Sequence, residues 1–143
     1  MPSQGVLIGF YVLVALAALL ATWSQNLAYA GGGPLSALQV FVQETRANPA
    51  SRSIAVDLGL FLLAASAFMV IEARRLGMRF VWLYILFGFL IAISVTFPLF
   101  MIARELRLAA AKSDATRPLS VSDLIGLAVT AAVIAALTAF VLH

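Results

Sequence analysis

Apolar side chains fall into four long runs along the chain, at about residues 5–23, 49–75, 79–103 and 121–142, with short polar stretches between them. Each run has the roughly 20 residues that an α-helix needs to cross the hydrocarbon of a bilayer. None shows the strict alternation of a half-buried strand. The pattern predicts an all-α membrane protein, a bundle of four transmembrane helices forming one domain over residues 1–143.

The punctuation fits helices. Trp23 closes the first run, where its indole suits the membrane interface. Ala28-Tyr29-Ala30 would pass as a signal-peptide cleavage pattern, but no Lys or Arg precedes the run and its apolar part is too long, so a retained helix is expected. Asn48-Pro49 reads as an N-cap followed by proline at the first helical position, and Gly77 as a terminator. Pro98 lies near the end of the third run, where it removes one backbone hydrogen bond and can bend or end the helix. Ser120-Val121-Ser122-Asp123 resembles a capping box with Asp in the Glu position.

Between the first two long runs, Gly31-Gly32-Gly33-Pro34 is a break, and residues 35–47 follow a different pattern. Leu35, Leu38, Phe41 and Val42 share one side, with Gln39, Gln43 and Arg46 toward the other. That stretch is too short and polar to span, and predicts an amphipathic helix lying on the membrane or capping the bundle.

Composition sharpens the choice of solvent. Of 143 residues, 64% are hydrophobic and 10% charged, against about 25% charged in soluble domains. A globule of this size could not bury so much apolar surface. There is no cysteine, which excludes disulfides, thiolate metal sites and Fe–S clusters. With His143 the single histidine, no metal site is expected, only one built from carboxylates or shared with a partner staying open. The pI near 10 comes from arginines flanking the apolar runs, so it bears on orientation and argues against nucleic acid as a partner. If all four runs cross, Arg46, Arg52, Arg104, Arg107, Lys112 and Arg117 share one side and Arg74, Arg75 and Arg79 the other. That count puts both termini outside the cytoplasm of a cell membrane, the bacterial inner membrane being expected.

Few polar groups interrupt the runs. Asp57 lies inside an apolar stretch, where an unpaired carboxylate costs on the order of 2.5–3.5 kcal/mol at mid-bilayer and less near its edge. Two readings are open: a proton carrier, ion ligand or ligand anchor, and a structural acceptor near a helix N-terminus where the dipole favours negative charge. Asn48, Ser53, Arg46 and Arg52 lie near the same boundary. Glu44 could approach Asp57, and paired carboxylates would permit acid–base work; a solvated interface charge is the plainer reading. Glu72 is about 22 Å of helical rise from Asp57, so it is expected to pair with Arg75 or Arg79 instead. Gly59 and Ser66 with Ala55 and Ala73, and the Ala128, Ala132, Ala135, Ala139 stripe of the last run, are expected to be helix-packing surfaces.

Ser24-Gln25-Asn26, Phe41-Val42-Gln43-Glu44, Asn48-Pro49, Asp57, Glu72 with Arg74-Arg75-Leu76-Gly77, and Pro98-Leu99-Phe100 together resemble a family of small, uncharacterised bacterial integral membrane proteins, a domain of unknown function, over roughly residues 6–105. The resemblance implies a three-helix core with the fourth helix an addition. It supplies no activity, and adds weight to Glu44, Asn48, Asp57 and Glu72 as candidate positions.

Three functions follow as expectations. The leading one is a non-catalytic accessory subunit that packs within a larger homo- or hetero-oligomeric membrane assembly, the balance being against an enzyme. The second is a lipid- or isoprenoid-binding protein or enzyme using Asp57 and Glu44. The third is ion or proton transport by an oligomer. No cofactor is expected, although membrane lipid, a quinone or an isoprenoid could be bound.

Overall fold

The computed structural model describes residues 4–110 and 120–142, and among these every regular element is helical. Four segments are long and apolar enough to cross a membrane: Gln4–Gly32, Pro49–Arg75, Val81–Ala110 and Val121–Leu142. The chain is thus an all-α, multi-pass membrane protein, as its hydropathy pattern requires.

Helix α1 (Gln4–Asn26) runs into a 3₁₀ turn (Leu27–Gly32). Gly33, at φ +85°, then lets the chain turn into α2 (Pro34–Glu44), which starts on its proline. Helix α3 (Pro49–Arg75) is capped by Asn48, whose side-chain oxygen accepts from the Ser51 N–H at 2.9 Å. It ends in a Schellman arrangement: Met78 N–H reaches Ala73 O at 2.8 Å and Gly77 N–H reaches Arg74 O at 3.4 Å, with Gly77 at φ +62°. Phe80 is also left-handed, φ 66°, which is uncommon for a bulky residue. Two left-handed residues in five reverse the chain into α4 (Val81–Phe87).

The path of the third apolar run is the main departure from the sequence reading. A π-helical turn, Gly88–Ala92, separates α4 from α5 (Ile93–Ala110). Tyr84 and Phe100 lie with ring centroids 5.7 Å apart, whereas sixteen residues of straight α-helix would put them about 24 Å apart along the axis. The chain therefore folds back on itself. The bend is at Gly88–Ala92 and not at Pro98, which sits buried inside α5. Gly88 makes the bend possible: a Cβ there would stand 3.1 Å from Thr96 Oγ1 and 3.5 Å from Leu62 Cδ1.

Both ends of this folded segment lie at the C-terminal end of α3. One end follows the Gly77 turn directly; the other is fixed by Arg104 Nε, 2.7 Å from Glu72 in the last turn of α3. Helix α5 runs in the same sense as α3, since Phe97 meets Phe61 and Phe68, Phe100 meets Phe68, and Arg104 meets Glu72. Helix α1 runs the other way, with Gln4 donating to the Glu105 carbonyl at 2.5 Å. The assumption that Arg104 and Arg107 share a side with residues 24–52 is thereby overturned: they stand with Arg74, Arg75 and Arg79. Lys112 and Arg117 lie outside the described residues.

The core is formed by Leu62, Ala65, Met69 and Ala73 of α3 with Val81 and Ile85 of α4 and Ile93 and Phe100 of α5. Spacings of three and four residues put the α3 members on one face. Helix α6 (Val121–Leu142) has a reciprocal cap, Ser120 N–H to Asp123 Oδ2 at 2.8 Å and Asp123 N–H to Ser120 Oγ at 3.2 Å. None of its residues is buried.

Candidate functional site

Two sites compete on geometry: a charged cluster at one end of the helices and an apolar groove at the other. The cluster begins with Glu72, which α3 carries one turn before its end. Its Oε1 accepts from Arg75 Nη2 at 2.6 Å and from Arg104 Nε at 2.7 Å, while Arg104 Nη1 donates to Glu105 Oε1 at 2.7 Å. Glu72 and Glu105 are buried, Arg104 is mostly covered and Arg75 is half exposed. A guanidinium suits this position because its planar fork can serve two carboxylates at once. The pairing leaves no carboxylate free to act as an acid or base, and it fastens α3 to α5. Gln4 adds α1 to the same knot through the Glu105 carbonyl.

Sequence reasoning placed Glu72 with Arg75 or Arg79 and missed Arg104 and Glu105. Arg104 is 32 residues from Glu72, and nothing local announces the fold that joins them. The available signal was positional: each charged pair ends an apolar run on the same side of a tight turn.

The groove lies beneath the π turn. It has a volume of about 730 Å³ and is walled by Trp23 of α1 and Leu27 just after it, by Leu35, Leu38 and Phe41 of α2, and by Phe89–Ile91 of the turn, with Asn26 and Tyr29 as its polar side chains. Tyr29 meets Phe41 edge-on at 6.0 Å. The amphipathic helix thus turns Leu35, Leu38 and Phe41 toward the groove. No charged residue lines it, so its walls offer apolar contact and two polar side chains.

Asp57, Ser53 and Glu44 are exposed and line neither site. Among the described residues Asp57 has no hydrogen-bond or ion-pair partner. Arg52 is directed elsewhere, its Nη1 donating to the Arg46 carbonyl at 3.2 Å. Asn48 is engaged as the α3 cap. Gly59 has nothing within 4 Å of a Cβ position, so it does not serve as a packing surface within the chain. Ser66 bonds back to the Leu62 carbonyl at 2.7 Å. The packing face of α3 is Leu62, Ala65, Met69, Glu72 and Ala73, which takes in Ala73 of the expected Ala55–Gly59–Ser66–Ala73 side. Ala128, Ala132, Ala135 and Ala139 are all exposed. Among the described residues no three metal-binding side chains converge.

Residues 10–106 match the family described as Protein of unknown function DUF2834. The chain belongs to that family. The DUF2834 region takes in α1 from Phe10 onward, α4, α5 as far as Leu106, the charged cluster from Glu72 to Glu105 and the entire groove; α6 lies beyond it. No curated protein and no solved structure matches the chain.

Proposed function

We propose that this DUF2834 protein is a non-catalytic subunit of a larger membrane assembly, joined to a partner chain through α6. The observation that carries this reading is the state of α6: 22 residues, with an 18-residue stretch of mean hydropathy 2.5 and no buried residue. Its Ala128, Ala132, Ala135 and Ala139 stripe allows close backbone approach, which is how helices associate in lipid, where no hydrophobic gain draws them together. The charged groups elsewhere support the same reading, since Glu72, Arg104 and Glu105 are occupied with one another. Purification in mild detergent followed by native mass spectrometry is expected to retain a second chain, identical or different. An Ala132→Leu, Ala135→Leu double variant is expected to release it. A monodisperse monomer from the unaltered protein would overturn the proposal.

The groove favours a second reading, in which the protein holds the hydrocarbon chain of a lipid or isoprenoid. This version rests on Trp23, Leu38, Phe41 and Phe89 and not on Asp57 and Glu44. Filling the groove with Ala37→Trp should reduce co-purifying lipid; an unaltered lipid complement would remove the idea.

A further inference from the structure

The two ends of α3 differ in charge. Arg52 and Arg75 are about 34 Å apart along the helix. Around the first end lie Arg46 and Arg52 with Glu44 and Asp57, two charges of each sign. Around the second lie, among the described residues, Arg74, Arg75, Arg79, Arg104 and Arg107 with only Glu72 and Glu105. Both of those glutamates are engaged by Arg75 and Arg104. Arg74, Arg79 and Arg107 are exposed, and among the described residues none has a carboxylate partner. They come from three places in the chain, the last turn of α3, the 76–80 turn and the end of α5. The Glu72–Arg104 pair gathers them at one end.

We propose that this arginine-rich end docks on anionic phospholipid headgroups of the cytoplasmic leaflet, with Arg74, Arg79 and Arg107 as the contacting residues. The cytoplasmic leaflet carries the negative surface potential, and short loops rich in arginine are retained on that side. Guanidinium groups match phosphate oxygens in bidentate geometry. The left-handed Gly77 and Phe80 fix the turn that carries Arg79, so the backbone there has little freedom left to lose on docking. The docking also sets orientation: the start of α1, held at this end by Gln4 and Glu105, faces the cytoplasm, and α2 with the groove lies toward the opposite surface. This is the reverse of the orientation counted from loop charges, because the folded α4–α5 segment enters and leaves at one end.

The chain contains no cysteine, so single reporter cysteines can be placed without background. Ala109→Cys is exposed at the arginine end and Ala47→Cys is exposed at the other. In intact bacterial cells a membrane-impermeant maleimide should label Ala47→Cys and should reach Ala109→Cys only after permeabilisation. Labelling of Ala109→Cys in intact cells overturns the orientation. For the headgroup, the full-length protein is presented with equal phosphatidylglycerol and phosphatidylcholine, and retained lipid is counted by native mass spectrometry. Phosphatidylglycerol should be preferred, and the preference should fall on the order of fivefold for each arginine removed in Arg74→Gln, Arg79→Gln and Arg107→Gln. Arg79→Gln alone, in a turn outside every helix, provides the readout if the triple variant does not fold. A preference unchanged in Arg79→Gln and in the triple variant overturns the proposal.

Discussion

Val81–Ala110 and Val121–Leu142 each contain an 18-residue stretch of the same mean hydropathy, 2.5, yet the first segment is packed into the core through Val81, Ile85, Ile93 and Phe100 while the second has no buried residue at all. Hydropathy is a statement about leaving water; it carries no information about what a helix rests against once it is in lipid. The difference lies in the few residues that can make specific contacts. The first segment contains Gly88, which admits a bend; Phe97 and Phe100, which fit against α3 aromatics; and Arg104, which finds Glu72. The second offers methyl groups and two threonines whose hydroxyls bond back to their own helix, Thr130 to Gly126 and Thr138 to Ile134. Nothing in that set selects a partner within the chain.

The comparison predicts a graded set of losses. Glu72→Gln removes the charge that two guanidiniums share and leaves Arg104 partly uncompensated, so it should have the largest effect, about 3 kcal/mol. Unfolding by SDS titration in mixed micelles measures it; a change below about 1 kcal/mol would mean that the cluster does not hold α3 to α5. Phe100→Ala comes next. Phe100 is fully buried against Phe68 and Tyr84, but in lipid the transfer component of a cavity substitution largely disappears and the lost dispersion contacts remain. About 2 kcal/mol is expected, less than the 3–5 typical of aqueous cores. Gly88→Ala places a methyl group 3.1 Å from Thr96 Oγ1, and should cost about 1 kcal/mol by forcing the bend open slightly. A Gly88→Ala, Thr96→Ala double variant tests this directly, since recovery of part of the loss is expected only if that contact is the cause.

Legibility from sequence followed the range of each interaction. The all-α class and the four membrane-length segments are properties of composition over windows of about twenty residues, and they could be read directly. So could the caps: Asn48 with Ser51, and Ser120 with Asp123, act across three residues. Glu72 was legible as one half of an ion pair with Arg75 for the same reason. The fold-back at Gly88–Ala92 was not, because its cause is mutual: Gly88 permits close approach only where Thr96 and Leu62 are already present to approach it. Missing the bend separated Arg104 and Arg107 from Arg74, Arg75 and Arg79 in the count of loop charges. Asp57 drew attention as a charge in an apolar run; its exposed position on α3 follows from which helix face packs, and that face includes Ala73 of the small-residue side, opposite Asp57 at 100° per residue.

The smallest effect is expected from the largest deletion. Truncation before Ser120 removes all of α6, and with it roughly a sixth of the chain, yet it takes away no buried residue. If internal packing is what stabilises α1 to α5, the unfolding midpoint of the truncated chain in detergent should stay within about 0.5 kcal/mol of the full chain, the scatter of a surface substitution. Glu72→Gln and Phe100→Ala should cost the same in either background, since sites without shared contacts add. A large loss on truncation, or a changed Glu72→Gln penalty, would show that α6 returns to the bundle and that the two apolar segments differ less than their burial suggests. Equal stability combined with loss of the co-purifying chain would separate the two roles cleanly: one apolar helix that builds this protein, and another that connects it to something else.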